Sequence, residues 1–204
     1  MNLFVRRESF KQYLTKFPVT SLIIAINVIY FGLLHLFPGV DEGTTLYNWG
    51  AYYLPAIQDG QYYRFITPIF MQIGISHFIF NLFSIFLFVS VLESLISRSR
   101  FIAIYMGAGI AGYITTYLFS STDFGLGASG AIFGVMGAFL FLSQKKSALL
   151  DDASRKTIIP ILVVNLVYTF IDPQISITGH IGGLIVGYLL AMLMRIDNYR
   201  SQQG

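Results

Sequence analysis

Hydrophobic and polar positions alternate along this chain on the scale of whole helices rather than single residues. Long apolar runs are separated by short stretches in which the charged residues collect. Most runs approach the roughly 20 residues that a helix needs to cross about 30 Å of hydrocarbon. The pattern therefore predicts an all-α membrane protein, a polytopic bundle of six transmembrane helices. The six runs are Phe17–Phe37, Ile69–Ile96, Phe101–Ser120, Gly127–Ser143, Ile158–Ile171 and Ile175–Ile196.

The basic residues predict the orientation of these helices. The fifth run is short enough to be either a span or a buried helix, but an even number of spans fits the charges best. Of the 13 Lys and Arg residues, 12 then lie on one side of the membrane and Arg64 alone lies on the other. The positive-inside rule places that basic side, with both termini, in the cytoplasm. We expect a multi-pass protein of the cell membrane whose second, fourth and sixth helices begin at the outer face.

The whole chain, 1–204, is interpreted as a single membrane domain in contact with the lipid bilayer. Residues 1–16 are expected to form a cytoplasmic N-terminal segment, 38–68 an outer interfacial loop, and 196–204 a cytoplasmic tail. The first run is longer than a signal-peptide core and lacks a small-residue cleavage site, so we expect a retained helix. The loop 38–68 is rich in Tyr, which is typical either of an interfacial aromatic belt or of a brace for an outward-facing site.

Composition and charge exclude several classes of protein. The chain is 55% hydrophobic and 11% charged, with a mean hydropathy of +0.67, which is too apolar for a soluble domain of this length. The net charge of +3 forms no basic stripe with interleaved aromatic residues, so no nucleic-acid partner is expected. The chain has no cysteine and no H-E-x-x-H motif, so we expect no thiol chemistry, no metal site and no cofactor.

Polar side chains recur at one depth in the predicted bundle. Ser129 begins the fourth run and His180 stands near the start of the sixth. His77 and Asn81 follow the start of the second run and, being four residues apart, share one helix face. Because all three runs begin at the outer face, the four side chains are expected in the same outer third of the bilayer. Polar groups there are costly and usually mark function, although a lone serine is an ordinary packing residue.

The chemistry of these residues indicates acyl transfer. A serine hydroxyl needs a base to become a nucleophile, and His180 is the suitable group near Ser129. We find no carboxylate at that depth, which favours a Ser–His dyad over a triad. Phe133, one turn after the serine, offers a ring face on which the imidazole can pack. The Ser129 backbone amide, the Asn81 amide group and His77 are candidate donors to the oxyanion.

Glycines recur at helical spacing in the fourth and sixth runs, and two of them, Gly127 and Gly130, flank the serine. Stripes of small residues let two membrane helices approach closely, which a contact between Ser129 and His180 requires. Taken alone, the stripes are compatible with a purely structural packing motif. The positions are Gly127, Gly130, Gly134 and Gly137 in the fourth run, and Gly179, Gly183 and Gly187 in the sixth.

From about Thr20 to Arg195 the chain resembles the rhomboid family of intramembrane serine proteases, in its compact six-helix form. The resemblance implies a rhomboid-like bundle in which Ser129 is the nucleophile and His180 the base. It also implies that His77 and Asn81 stabilise the oxyanion. The segments that carry it are Gly127-Ala128-Ser129-Gly130, Gly179-His180-Ile181-Gly182-Gly183, His77-Phe78-Ile79-Phe80-Asn81 with Glu93, Trp49-Gly50-Ala51, and Gly60-Gln61-Tyr62-Tyr63-Arg64.

The chain departs from the family pattern at two ring positions. Tyr63 stands before Arg64 where the family often has tryptophan, and Phe133 stands where tyrosine is common. Phe133 keeps the ring face for the histidine but lacks a hydroxyl group, so we expect altered surroundings for the base. Neither departure removes a proposed catalytic group.

Two functions remain from different classes. The first is a serine endopeptidase that cleaves transmembrane segments of single-pass or polytopic substrates near the outer membrane face. The second is a non-catalytic rhomboid-like protein that binds membrane proteins as a chaperone. Such relatives typically lack the serine or the histidine, and the presence of both Ser129 and His180 favours the enzyme. The fifth helix, with the loop Asp172-Pro173 after it, is the candidate for a moving gate.

Overall fold

A computed structural model describes residues 3–37, 39, 41–120, 122–171 and 176–198, without the side chains of 168, 170 and 171. Over these residues the fold is all-α apart from one pair of two-residue strands. In chain order the elements are α1 (Phe10–Lys16), α2 (Pro18–Leu36), α3 (Glu42–Asn48), β1 (Tyr52–Tyr53), α4 (Leu54–Gln58), α5 (Ile75–Ser84), α6 (Ser90–Leu95), α7 (Arg98–Phe119), β2 (Phe124–Gly125), α8 (Ser129–Gln144), α9 (Asp152–Ile171) and α10 (Ile177–Leu193).

Three helical segments in these ranges are long and apolar enough to cross a membrane. They are Pro18–Leu36, Ile75–Leu95 and Arg98–Phe119, the second being α5 and α6 joined through a π-helical turn at Ile85–Val89. At a rise of about 1.5 Å per residue, each is close to the thickness of the hydrocarbon layer. Helices α8 and α10 are apolar but shorter.

Two helix starts lie six residues away from the sequence prediction. The second long helix begins at Ile75 and not at Ile69, which lies in the short 3₁₀ turn Thr67–Phe70. Gly74 has φ +74°, a left-handed conformation that cannot continue a helix from the preceding residues. The fifth helix begins at Asp152, ahead of the predicted Ile158, since polar residues form its first turns.

The end of the sixth predicted run also differs. Helix α10 ends at Leu193, three residues before Ile196, and Arg195 has φ +50°. The predicted start of this run at Ile175 and the loop Asp172-Pro173 both lie outside the described residues, as does most of the tail.

Helices α7, α8 and α10 form the tightly packed centre of the protein. A Cβ atom on Gly183 would overlap the carbonyl group of Gly130, and one on Gly187 would overlap that of Gly134. The two glycine stripes therefore face each other at backbone contact, as their spacing predicts. Helix α9, by contrast, packs against α8 and α10 at only a few points.

The start of α2 is held by Glu93, which lies in α6 near the C-terminal end of the second long helix. Both carboxylate oxygens of Glu93 accept hydrogen bonds there, from the backbone N–H of Val19 at 2.9 Å and of Thr20 at 2.8 Å. Glu93 is only 6% exposed, so this carboxylate supplies the acceptors that the first turn of a helix lacks. The contact holds the first and second long helices together at the end remote from Ser129.

The loop between α2 and α5, which we call the outer loop after its predicted position, has a folded structure around Arg64, whose side chain is 2% exposed. Its guanidinium group donates to Ala51 O and to Gln61 Oε1, both at 2.8 Å, and lies 4.4 Å from the ring centroid of Tyr47. Strand β1 of this loop pairs antiparallel with β2, just before the start of α8. Burial raises the pKa of Tyr52 in β1 to about 12. The loop thus contacts the segment that leads into Ser129, which favours the brace over a simple aromatic belt.

Candidate active site

The four polar side chains singled out in the sequence line one cavity of about 790 Å³. Its walls come from α5 and the π-helical turn after it, from α7, α8, α9 and α10, and from the loop before α8. Among the described residues that line it, none is Asp, Glu, Lys or Arg. The polar groups that face this cavity include His77, Asn81, Ser129, Thr169 and His180.

Ser129 is the first residue of α8 and follows a loop that is held from two sides. The Gly127 N–H donates to Pro68 O at 2.9 Å, and Tyr113 Oη donates to Gly127 O at 3.0 Å. Gly127 has φ +131°, which side chains rarely tolerate. The first amides of a helix have no acceptor within the helix, and among the described residues no acceptor is found for the Ser129 N–H, which leaves it available to an anion.

His77 reaches the same loop from α5. A Cβ atom placed on Gly127 would lie 3.2 Å from His77 Nε2 and 3.7 Å from Ser129 Oγ. The imidazole and the hydroxyl group therefore border the space that the missing side chain leaves. Glycine at this position permits both the backbone conformation and the close approach of His77.

His180 lies one turn into α10 and is 6% exposed. The Phe133 ring stacks on its imidazole, with centroids 4.2 Å apart and planes inclined by 20°. In addition, His180 Nδ1 lies 2.8 Å from the hydroxyl oxygen of Thr169 on α9. The ring is therefore oriented both by packing on Phe133, as the sequence predicts, and by a hydrogen bond with a third helix, α9.

Asn81 is held by a chain of buried amide groups that runs to α2. Its Nδ2 donates to Gln72 Oε1 at 2.8 Å, Gln72 Nε2 donates to Asn27 Oδ1 at 3.1 Å, and Asn27 Nδ2 donates to Ile23 O at 2.8 Å. The three amide side chains are at most 6% exposed. This chain fixes the position of the Asn81 amide and, since an amide nitrogen carries two hydrogens, leaves one for another acceptor.

No hydrogen bond joins Ser129 Oγ to His180 within the described part of the chain, although both side chains face the cavity. Hydrogen bonds between catalytic groups are often long before substrate binds and then shorten. Over the same residues there is no cluster of three His, Asp or Glu that could hold a metal ion. The site as built offers a hydroxyl group, an imidazole and several neutral donors, which suits acyl transfer.

The sequence reasoning missed Thr169, Gln72 and Asn27. The two amide residues had a usable signal, because each stands inside an apolar run where an amide needs a partner. Thr169 had none, since a threonine in a membrane helix usually satisfies its hydroxyl group on its own backbone.

Comparison with known proteins gives concordant results. Residues 59–196 match the family model of the Rhomboid domain. The rhomboid-type protein YdcA of Bacillus subtilis is 35% identical, over 94% of this chain and 96% of its own length. Rhomboid protease GluP of the same organism is 37% identical over 84% of this chain, which spans 34% of GluP. Rhomboid protease GlpG of Haemophilus influenzae is 27% identical over 84% of this chain and 88% of GlpG.

Proposed function

Because this chain belongs to the rhomboid family and is a multi-pass, all-α membrane protein, we propose that it is an intramembrane serine endopeptidase. Ser129 is the nucleophile and His180 the general base of a dyad. Homology to rhomboid proteases supports proteolysis of membrane proteins. The observation that carries the assignment of roles is the uncharged cavity that is lined both by Ser129 and by His180, a histidine held by stacking and by a hydrogen bond.

The reaction follows from the positions of the groups. His180 Nε2 takes the proton of Ser129 Oγ as that oxygen attacks the carbonyl carbon of the scissile bond. The negative charge that develops on the carbonyl oxygen is met by the Ser129 N–H, by the free hydrogen of Asn81 Nδ2 and by His77. His180 then protonates the departing amine. In the second half of the reaction water attacks the acyl-enzyme, His180 takes the proton of that water, and Ser129 Oγ leaves and receives the proton.

The substrate enters as a transmembrane segment of another protein, from between α5 and α9. Apolar side chains from these helices line the cavity and are strongly exposed, with Phe80 at 69%, Phe83 at 57% and Val164 at 66%. A carbonyl group within a helix is hydrogen-bonded and shielded from a nucleophile, so the segment must unwind before Ser129 can attack it. We therefore expect substrates with small or helix-breaking residues near the outer end of the segment.

Helix α9 is the element proposed to move when substrate enters. It forms one wall of the cavity, yet it packs against α8 and α10 at few points. Pro160 within it removes one backbone hydrogen bond. The proposal places the outer ends of these helices at the outer face of the cell membrane, with both termini cytoplasmic.

A fluorophosphonate probe tests the assignment of Ser129. We expect the purified protein to be modified at Ser129, as read by peptide mass spectrometry, and His180→Ala to lose the modification. Ser84→Ala, which changes another hydroxyl group lining the same cavity, should keep it. Binding of membrane proteins without any labelling or cleavage would instead support the non-catalytic chaperone.

A further inference from the structure

The hydroxyl group of Thr169 makes two hydrogen bonds of equal length. Its Oγ1 lies 2.8 Å from the backbone oxygen of Asn165, one turn earlier in α9, and 2.8 Å from His180 Nδ1. Thr169 is 1% exposed, so water does not compete for either bond. Both bonds are therefore retained at once, and the donor in one of them determines which atom donates in the other.

A hydroxyl group carries a single hydrogen, and the partners of Thr169 differ in what they can do with it. The oxygen of Asn165 is a backbone carbonyl and can only accept, so the Thr169 hydrogen is committed to it. Thr169 Oγ1 must then be the acceptor in the bond with the imidazole. The hydrogen of that second bond therefore belongs to His180 Nδ1.

We propose that Thr169 is a positioning residue that fixes the tautomer of His180, with the hydrogen on Nδ1 and the lone pair on Nε2. The inference rests on the proposed function, in which Nε2 must be unprotonated to remove the proton from Ser129. A neutral imidazole holds one hydrogen, so assigning it to Nδ1 configures the other nitrogen as a base. Thr169 thereby performs, through a neutral hydroxyl, the orienting role that a carboxylate has in a Ser-His-Asp triad.

The arrangement also explains how the site works without a carboxylate in its wall. An aspartate in this cavity would be a buried charge without a cation among the described residues that line it. A threonine that satisfies its own hydrogen on the backbone costs little in a membrane helix. It can still accept, because each hydroxyl oxygen has two lone pairs.

The first test is spectroscopic and does not require catalysis. The chain contains 3 histidines, so ¹⁵N-histidine labelling gives few signals, and the loss of one set in His180→Gln assigns those of His180. At a pH where the ring is neutral, we expect the wild-type signals to show a protonated Nδ1 and an unprotonated Nε2. In Thr169→Val, which keeps the shape but lacks the acceptor, a second form protonated on Nε2 should appear.

The second test is kinetic and uses matched variants. Thr169→Val should lower kcat/KM about tenfold, as expected for the loss of one neutral hydrogen bond in the transition state. Thr169→Ser should restore both the rate and the wild-type tautomer, which a purely structural role of the methyl group would not predict. Thr157→Val on the same helix is the control, because Thr157 also donates to the carbonyl four residues earlier but lies at the other end of α9.

A wild-type spectrum with Nε2 protonated would overturn the inference, as would a Thr169→Val protein whose tautomer and kcat/KM match the wild type. Failure of the proposed function is a separate result. Proteolysis that survives Ser129→Ala would refute the dyad, while the ¹⁵N spectrum would still decide the tautomer. If Thr169→Val does not fold, the wild-type spectrum by itself tests whether the hydrogen is on Nδ1.

Discussion

Asn81 has two amide hydrogens, and the hydrogen bonds of the described residues commit only one of them. Gln72 accepts the first at 2.8 Å and is itself held by Asn27. The second is left for the oxyanion of the proposed mechanism. An amide that is fixed before the reaction stabilises developing charge without having to reorganise.

Replacing Asn81 should therefore slow the chemical step. For Asn81→Ala we expect a fall in kcat that corresponds to roughly 3–4 kcal/mol, the cost of one oxyanion donor in a well-studied protease. KM should change little, because the charge appears only in the transition state. Ser84→Ala on the same cavity wall is the control. A large rise in KM with unchanged kcat would assign Asn81 to substrate binding instead.

The role of Gln72 is tested by a double-mutant cycle. Gln72→Leu removes the acceptor that orients Asn81, so kcat should fall, though less than in Asn81→Ala. If Gln72 acts through Asn81, the double variant should be no slower than Asn81→Ala alone. Independent, additive losses in kcat would show that Gln72 does not act through Asn81. Thermal unfolding of each variant shows whether a loss in kcat comes from a loss of stability instead.

At this scale the sequence predicted which polar groups would meet, because depth in a membrane follows from the start of each helix. Ser129, His180, His77 and Asn81 do line one cavity, while their chemical roles remain predictions. Gln72 signalled a buried polar contact by standing in an apolar run, but its pairing with Asn81, and that of Thr169 with His180, could not be assigned in advance. Their contacts depend on how one helix is rotated against another, and this rotation cannot be predicted from an almost uniformly apolar run.

Among the elements, α8 and α10 owe their contact to glycine. The backbone oxygen atoms of Gly130 and Gly134 occupy the space that side chains at Gly183 and Gly187 would need. This contact brings the start of α10, with His180, against the start of α8, with Ser129. The geometry of the proposed dyad is therefore set by residues without side chains.

A single methyl group should separate these helices. We expect Gly183→Ala to lower stability by about 1–3 kcal/mol, as overpacking of a tight interface does. Activity should fall by about two orders of magnitude if the dyad is displaced by an ångström. Gly32→Ala in α2 is the matched control, since its Cβ would meet nothing within 4 Å. Equal activity of both variants, measured with their melting temperatures, would contradict this account of the interface.

The existence of the long helices was predictable, but their ends were less so. Ile69 to Gly74 continues an apolar run, yet Pro68 and the left-handed Gly74 delay the helix to Ile75. Asp152 extends α9 beyond its apolar part, since Asp151 accepts from the Ser154 N–H at 2.7 Å and caps the first turn. Hydropathy reports the membrane environment, whereas helix ends follow from local backbone chemistry.

For the molecule as a whole, the outer loop and the bundle form one unit. The β1–β2 pair and the bond from Leu54 N to Asp123 O at 2.9 Å tie the loop to the segment before α8. The sequence indicated the position of this loop but not its folded structure, because its short elements depend on contacts with distant residues. The distribution of basic residues predicts that this face is the outer one.

The absence of cysteine allows a direct test of orientation. Asp59→Cys in the outer loop and Lys145→Cys after α8 each introduce one exposed thiol into a chain that has none. We expect a membrane-impermeant maleimide to label Asp59→Cys in intact cells, and Lys145→Cys only after permeabilisation. The reverse pattern would refute the predicted orientation and the cleavage of substrates near the outer face.

The central claim is that Ser129 carries out the proteolysis, and one comparison tests it most directly. Wild-type protein and Ser129→Ala are purified, reconstituted into liposomes with a single-pass substrate, and assayed for cleavage by mass spectrometry. Thermal unfolding first verifies that both proteins are equally folded. We then expect the cleavage rate of Ser129→Ala to be lower by about 10⁴-fold or more, as when a catalytic residue is removed from other serine hydrolases. Cleavage by Ser129→Ala at a rate close to that of the wild type would contradict the account.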